Sequence, residues 1–439
     1  MTLFQRTDRR LGAALWCAGL AAFAAMYAPQ GLLTQISRDA LVDPARASLL
    51  VSATTLGLAL SVLPWAWLSD RIGLRRAMRL AAAGAAVCAV AVPWLPSFDA
   101  LLAGRLLHGI ALGGIPALAM ALPHQTASPG RAVTLVGSYV AATSLGGLSG
   151  RLLVVPVANE IGWRAGLFAL GCLVAALMLA LIGLIPRTSS GGQPDQVGGA
   201  LLANLRDPVM LCLFGIGALL IGGMVAVFNY LPFRLEEPPY HLSPNVVSLI
   251  FLTYLAGTAG SRGAGWLTDR VGAVPILGAA CLLMTGGAAI TLARPLAMVL
   301  LGVVVLTAGL FIGHAVASSM VAARARIRHA QAAAMYNISY YAGASAFGWL
   351  GGLAWLHGQW ALVVTLVVTL CFCACVLAVL ARTVPRRGRA SCRPLRRVAA
   401  AAMASSELSS SAAARPALGP SPARGSRPSV PRESPCCPR

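Results

Sequence analysis

Long apolar runs separated by short polar turns make up almost the whole chain. They fall at about 12–34, 47–68, 77–95, 99–122, 132–156 and 164–185, then at about 208–232, 245–267, 273–293, 296–320, 331–355 and 360–382. Each run is near the roughly 20 residues a helix needs to cross a bilayer, so the pattern predicts about twelve transmembrane helices. After the sixth run, Arg187-Thr188-Ser189-Ser190-Gly191-Gly192-Gln193-Pro194-Asp195 is polar and flexible, suited to joining two halves. From about Pro385 the chain turns to Arg, Ser, Pro and Ala with little aliphatic periodicity. Such a segment cannot bury enough apolar surface to offset its ordering entropy. The expected organisation is a six-helix half over 1–186, a cytoplasmic linker over 187–207, a second six-helix half over 208–385 and a disordered tail over 386–439.

Two segments repeat. Trp67-Leu68-Ser69-Asp70-Arg71-Ile72-Gly73 returns as Trp266-Leu267-Thr268-Asp269-Arg270-Val271-Gly272, 199 positions later. Ser138-Tyr139, Ala141, Ser144, Gly147 and Gly150 return as Ser339-Tyr340, Ala342, Ser345, Gly348 and Gly351, 201 positions later. Near-constant spacing argues for homologous halves of parallel topology. Both copies of the first segment end the second helix of their half. Asp70 and Asp269 sit at a helix end, Gly73 and Gly272 permit a tight turn, and Arg71 and Arg270 offer ion-pair partners. The duplication points to a gate that ties helix ends together in one state and releases them in another; the alternative is a plain stop-and-turn.

Composition then narrows the class. The chain is 58% hydrophobic and 11% charged, where a water-soluble domain keeps about a quarter of its residues charged. A soluble enzyme is excluded. The formal charge of +21 invites a nucleic-acid partner, but all 34 basic residues are Arg, and twelve of them lie from Arg382 onward. The others sit mostly in short loops, so no nucleic-acid partner is expected. With no Lys there is no P-loop. Eight of the eleven Cys lie in apolar runs, where Cys behaves as a small hydrophobe, and no Cys/His spacing resembles a zinc site. No cofactor or metal is expected.

Arg placement orients the chain, because cytoplasmic loops retain more positive charge. With a cytoplasmic N-terminus, fourteen Arg fall inside (6, 9, 10, 71, 75, 76, 79, 131, 187, 206, 270, 324, 326 and 328) and five outside (38, 46, 164, 234 and 294). Both termini are expected in the cytoplasm. The basic stretch from Arg386 to Arg397 is either an anchor for anionic lipid or an unselected extension.

Two six-helix halves with Asp-Arg-x-Gly-x-Arg between second and third helices resemble the major facilitator superfamily. Ala66-Trp67-Leu68-Ser69-Asp70-Arg71-Ile72-Gly73-Leu74-Arg75-Arg76 is similar to its signature, with Ala66 and Leu74 departing from the usual glycine and basic residue. Arg105-Leu106-Leu107-His108-Gly109 resembles the fourth-helix motif, with His108 in place of the common Gln. Tyr27-Ala28-Pro29-Gln30, the run from Phe228 to Leu235 and Tyr254-Leu255-Ala256-Gly257-Thr258 are similar to the bacterial branch described as arabinose-efflux-permease-like or multidrug-efflux-like. The resemblance covers about 10–385. It implies an all-α membrane protein of two pseudo-symmetric six-helix halves, acting as a monomer in the bacterial inner membrane.

Intramembrane polar residues supply the candidate site, since a charge inside the bilayer is costly. Arg105 lies about two turns into the fourth helix with His108 at i+3 on the same face; it either faces a central cavity, as the resemblance implies, or snorkels outward. Tyr27 and Gln30 in the first helix join it, with Asn229 and Tyr230 in the seventh, Tyr254 in the eighth, and Asn337, Tyr340 and Tyr341 in the eleventh. Each aromatic is alternatively an anchor or a packing residue. Arg151 sits near the outer end of the fifth helix with snorkelling open to it, and Arg262 lies two turns inside Asp269. The gate would comprise Asp70, Arg71, Gly73, Arg75, Asp269, Arg270 and Gly272. All thirteen acids lie in loops, at span ends or in the tail, so proton antiport would rest on Arg105 with a substrate anion, His108, His314 or a span-end carboxylate. The expected function is secondary active transport of a small organic solute by alternating access, as efflux and with protons as candidate coupling ion. The alternatives are a non-transporting sensor and a membrane-embedded enzyme.

Overall fold

The computed structural model describes residues 3–186, 204–325 and 329–383. The expected linker, apart from its last residues, and the expected tail lie outside these residues, as do Arg326 and Arg328. The side chain of Arg262 is likewise not described.

Twelve long helical segments make up the described chain. In the first half, α1 (Leu3–Tyr27) closes with a 3-10 turn over Ala28–Gly31 and leads through a short helix (Leu33–Asp39) into α2 (Pro44–Ile72). Then come α3 (Leu74–Ala91), α4 (Phe98–Thr126), α5 (Pro129–Ile161) and α6 (Trp163–Leu184). The second half holds α7 (Pro208–Glu236), α8 (Pro244–Ser248, Leu249–Leu252 and Thr253–Val271), α9 (Ala273–Ile290) and α10 (Leu296–Arg324). One run, His329–Thr383, contains α11 and α12, parted at Gly358 and Gln359.

Local chemistry sets the boundaries. Pro44, Pro129, Pro208 and Pro244 open helices at the position where a missing N–H costs nothing. Asp43 accepts from the Arg46 amide, Ser97 from Ala100 and Asp207 from Val209, capping α2, α4 and α7. Gly73 and Gly272 end the second helix of each half with φ of 87° and 94°, and each amide donates back to the carbonyl four residues earlier, at 2.9 Å. A side chain would strain this turn, so both copies need glycine. In the second half the boundary of α12 falls instead on Gln359, at φ 51° and ψ −148°.

Some spans are less continuous than expected, the fourth being interrupted at Gly113. The eighth run reads as a continuous helix, yet α8 passes through a 3-10 turn at Leu249–Leu252. Ser248 Oγ donates to the Asn245 carbonyl and Thr253 Oγ1 to that of Ile250, both three residues back at 2.7 Å. These side-chain bonds on either side of the turn compete with helical ones.

Small residues let helices touch at backbone distance. A Cβ on Gly146 or Gly150 of α5 would lie 2.5 Å from the carbonyl oxygens of Leu20 or Ala24 in α1, the close contact their spacing implies. Buried polar ends are served by arginines. Arg164 donates to the Pro93 and Leu95 carbonyls at the end of α3. Arg234 donates to Thr291 and Ala293 at the end of α9, where Trp360 Nε1 also meets Thr291 Oγ1. Such donors satisfy carbonyls a helix terminus leaves open.

Candidate functional site

The halves meet through named contacts gathered towards the end of the bundle remote from α1's start. Gln30, just past the end of α1, donates from Nε2 to Asn229 Oδ1 of α7 at 2.7 Å. One turn further out, Thr34 Oγ1 donates to Glu236 at 2.7 Å and Arg38 pairs with the same carboxylate at 2.5 Å. On one flank Ser52 of α2 and Ser345 of α11 exchange hydroxyl-to-carbonyl bonds of 2.9 and 2.8 Å. On the other, Arg151 of α5 reaches Tyr254 of α8, NH2 to phenol, at 3.1 Å.

Arg151 anchors this arrangement. It does not snorkel: it is 1% exposed, buried in the bundle. Its Nε donates to Gln30 Oε1 at 2.6 Å and its NH1 to the Gly147 carbonyl at 2.5 Å. The guanidinium lies over the rings of Tyr27 (4.2 Å), Tyr254 (4.7 Å) and Phe251 (5.2 Å), which partly offset a cation whose named polar partners are an amide, a carbonyl and a phenol. Arginine only donates, so Gln30 must turn its oxygen to Arg151 and its nitrogen to Asn229. Asn229 therefore presents its oxygen to Gln30, and its Nδ2, buried, has no hydrogen-bond partner among the described residues.

Aromatic rings extend the site into the second half. Tyr254 lies 5.1 Å from Phe228 and 5.8 Å from Phe311 by ring centroids. His314 of α10 contacts Tyr340 at 4.7 Å, and its Nδ1 shares a 3.0 Å hydrogen bond with Tyr336. Tyr340 meets Tyr341 edge-on at 5.4 Å.

Arg105 occupies a separate pocket in the first half, at the junction of α1, α2 and α4. Its Nε donates to the Leu50 carbonyl, its NH1 to Ala25 and to His108 Nδ1, and its NH2 to Ala25 and Met26, at 2.8–3.3 Å. The Ala25 carbonyl is free because Pro29, four residues on, has no N–H to give it. With Nδ1 accepting, His108 carries its proton on Nε2, which is buried and without a partner among the described residues. Arg105 thus grips backbone dipoles, and both it and His108 are buried.

The expected cavity residues separate into groups. Tyr27, Gln30, Asn229 and Tyr254 converge on Arg151; Tyr340 joins His314 to this cluster, Tyr340 and Tyr341 both lying near Tyr27; Arg105 and His108 stand apart. Tyr230, next to Asn229 in sequence, turns to donate to the Gly348 carbonyl at 3.0 Å and stacks with Phe233 and Trp355, away from Arg151. Asn337 is half-buried on α11. In the two repeated segments expected to form a gate, Arg71 lies 3.9 Å over Trp67 and Arg270 lies 3.9 Å over Trp266, one geometry in both copies. Arg75 is half-buried, and Asp70 and Asp269 are exposed. Thr34, Arg38, Glu236, Ser52, Ser345, Phe251 and Tyr336 complete contacts that sequence reasoning did not assign; Glu236 carried a signal, as an acid ending an apolar run. Among the described residues no group of three His, Cys, Asp or Glu is disposed to hold a metal.

Comparison with known proteins gives a consistent answer. A sequence profile described as Major Facilitator Superfamily matches residues 15–260, from α1 into α8. The chain is 35% identical over 363 residues to the uncharacterized MFS-type transporter YybF of Bacillus subtilis (strain 168), covering 82% of this chain and 90% of that one. It is 33% identical over 355 residues to the inner membrane transport protein YnfM of Escherichia coli (strain K12), covering 80% and 85%. Among solved structures, a bacterial homologue of the human lysosomal transporter Spinster superposes with a TM-score of 0.71 at 15% identity, covering 87% and 98% of the two chains. A D-xylose–proton symporter superposes at 0.66 and 17% identity, covering 88% and 98%.

Proposed function

This chain belongs to the major facilitator superfamily and is a multi-pass membrane transporter, and we propose that it is a secondary active carrier of a small organic solute working by alternating access. The reading is carried by contacts that join the halves among the described residues: Gln30–Asn229, Thr34–Glu236 and Arg38–Glu236 bind the two sextets at the remote end. A pair of halves pinned at one end and rocked about the pin exposes its middle to each side in turn. The duplicated Trp-Arg stacks lie at the other end, where the repeated segments would serve as the second gate.

The proposal extends to export from the cytoplasm of a bacterium, in the inner membrane, by a monomer of the arabinose-efflux or multidrug-efflux kind with both termini cytoplasmic. The loop arginines support that orientation. Exchange against protons would run through Glu236, a carboxylate that bonds across the halves to Thr34 and Arg38 and whose protonation would weaken the Arg38 ion pair. The test is solute uptake and counterflow in proteoliposomes, with and without an imposed pH gradient. Carrier function predicts counterflow of a solute in both conditions and accumulation only with the gradient. Cysteines at positions 72 and 271 labelling from opposite faces of the membrane would overturn the arrangement.

A further inference from the structure

Among the described residues two arginines are buried in the bundle, and their donors are spent differently. A guanidinium carries five N–H donors. Arg105 makes five contacts, four to backbone carbonyls and one to His108, so nothing is left to receive a ligand. Arg151 makes three, one from each nitrogen. One N–H on each terminal nitrogen is therefore uncommitted, so both NH1 and NH2 keep donor capacity for an anion. Around it stand Tyr27, Phe251 and Tyr254, whose rings face the cation, and Tyr254 is only half-buried.

We propose that Arg151 is the anion-binding residue of the transport site, and that the solute is an organic carboxylate with a flat apolar body, its carboxylate held by the guanidinium and its body laid against the tyrosine and phenylalanine rings. The inference rests on the carrier reading above and supplies its substrate class. Access is past Tyr254. Arg151 is 1% exposed, so a carboxylate reaches NH1 and NH2 only by pushing the Tyr254 side chain aside, and in doing so it cuts the bond that ties α5 to α8 across the halves. Binding and release of that flank are then one event: a charge-assisted contact replaces a single neutral one, and α5 keeps its tie to Gln30 within its own half. Only a ligand with more affinity for the unlatched form shifts the balance of conformations, and an anion that needs the place of Tyr254 meets that condition.

The test compares benzoate, 3-phenylpropionate and hexanoate with their neutral amides and with benzylamine, by calorimetry and thermal unfolding of the purified full-length protein. The expected result is binding of at least one aromatic carboxylate at least ten-fold tighter than its amide, with benzylamine not bound. Arg151→Gln should weaken that binding ten-fold or more while Arg151→Lys retains part of it. Tyr254→Phe, which removes the competing phenol but keeps the ring, should tighten it several-fold. Equal binding of acid and amide, no binding of any carboxylate, or a Tyr254→Phe variant with unchanged or weaker affinity would overturn the proposal, the last even if Arg151→Gln fails to fold. Benzoate binding without counterflow in proteoliposomes would refute the carrier reading and leave the anion site standing. Counterflow of amines indifferent to Arg151→Lys would do the reverse.

Discussion

Gln30 and Asn229 stand 199 residues apart, the spacing of the duplicated Asp70 and Asp269, and they hydrogen-bond to each other at 2.7 Å. By that spacing the two residues hold equivalent positions in the two halves, and they meet across them. Gln30 also accepts from Arg151, so one amide serves both as an internal partner of the first half and as its link to the second.

Replacing that amide should act in either direction according to charge. Gln30→Leu leaves the Arg151 Nε and the Asn229 oxygen unpaired at a cost of about 1–3 kcal/mol, and the remote end should open more often. Gln30→Glu gives Arg151 a carboxylate, with Asn229 turning its amide to donate, and should hold that end closed. An impermeant maleimide reports the difference through a cysteine at position 36, where Ile36 is now buried: faster labelling for the first variant, slower for the second.

Arg105→Lys should be severe although charge is kept. A single ammonium has three donors on one atom and cannot span the Leu50, Ala25 and Met26 carbonyls that Arg105 joins. A loss of about 3 kcal/mol is expected, read as a lower unfolding temperature and poor recovery in detergent.

Asp207 links α7 to the end of α10 through Arg324, at 2.8 and 3.1 Å. Burial raises its carboxyl pKa, but the hydrogen bonds from Arg324 and the Val209 and Met210 amides, with the Arg324 charge, outweigh it and leave the value lowered. A lowered folded value contributes stability above the unfolded pKa of about 3.9 and loses it as pH falls through the folded value. Unfolding temperature should therefore drop below about pH 4, and Asp207→Asn should flatten that limb while lowering stability slightly at neutral pH.

Gln359 holds a backbone conformation, φ 51° and ψ −148°, that side chains disfavour by about 1–3 kcal/mol. Gln359→Gly removes that strain and returns about 0.4–1 kcal/mol of unfolded-chain entropy. The net expectation is a gain of about 1 kcal/mol, measurable as a higher unfolding temperature, whereas Gly73→Ala, at φ 87°, should lower it.

Much of this architecture is legible in the chain. Apolar run length places the helices, and the recurrence of Trp-Leu-x-Asp-Arg places the turns at Gly73 and Gly272, because a glycine at a positive φ is a local demand. The broken α8 is not legible: hydroxyl bonds from Ser248 and Thr253 leave no mark on a hydrophobic period. Depth along a helix is readable and direction is not, so Arg151 reads as an outward-reaching cation until Gln30, 121 residues away, is seen beneath it. Tyr230 and Asn229 are adjacent and both buried, yet a 100° step around α7 sends one to Gly348 and the other to Gln30.

The knot of Pro29, Ala25 and Arg105 has no twin. Counting by the repeat spacings of 199 and 201, Phe228 stands where the proline would be, and Val304 or Leu306 stands where the arginine would be. The second sextet instead carries the interrupted α8. The two halves are thus braced differently although their sequences repeat: if the carrier reading above holds, the two walls of the solute path would not respond alike to the same load.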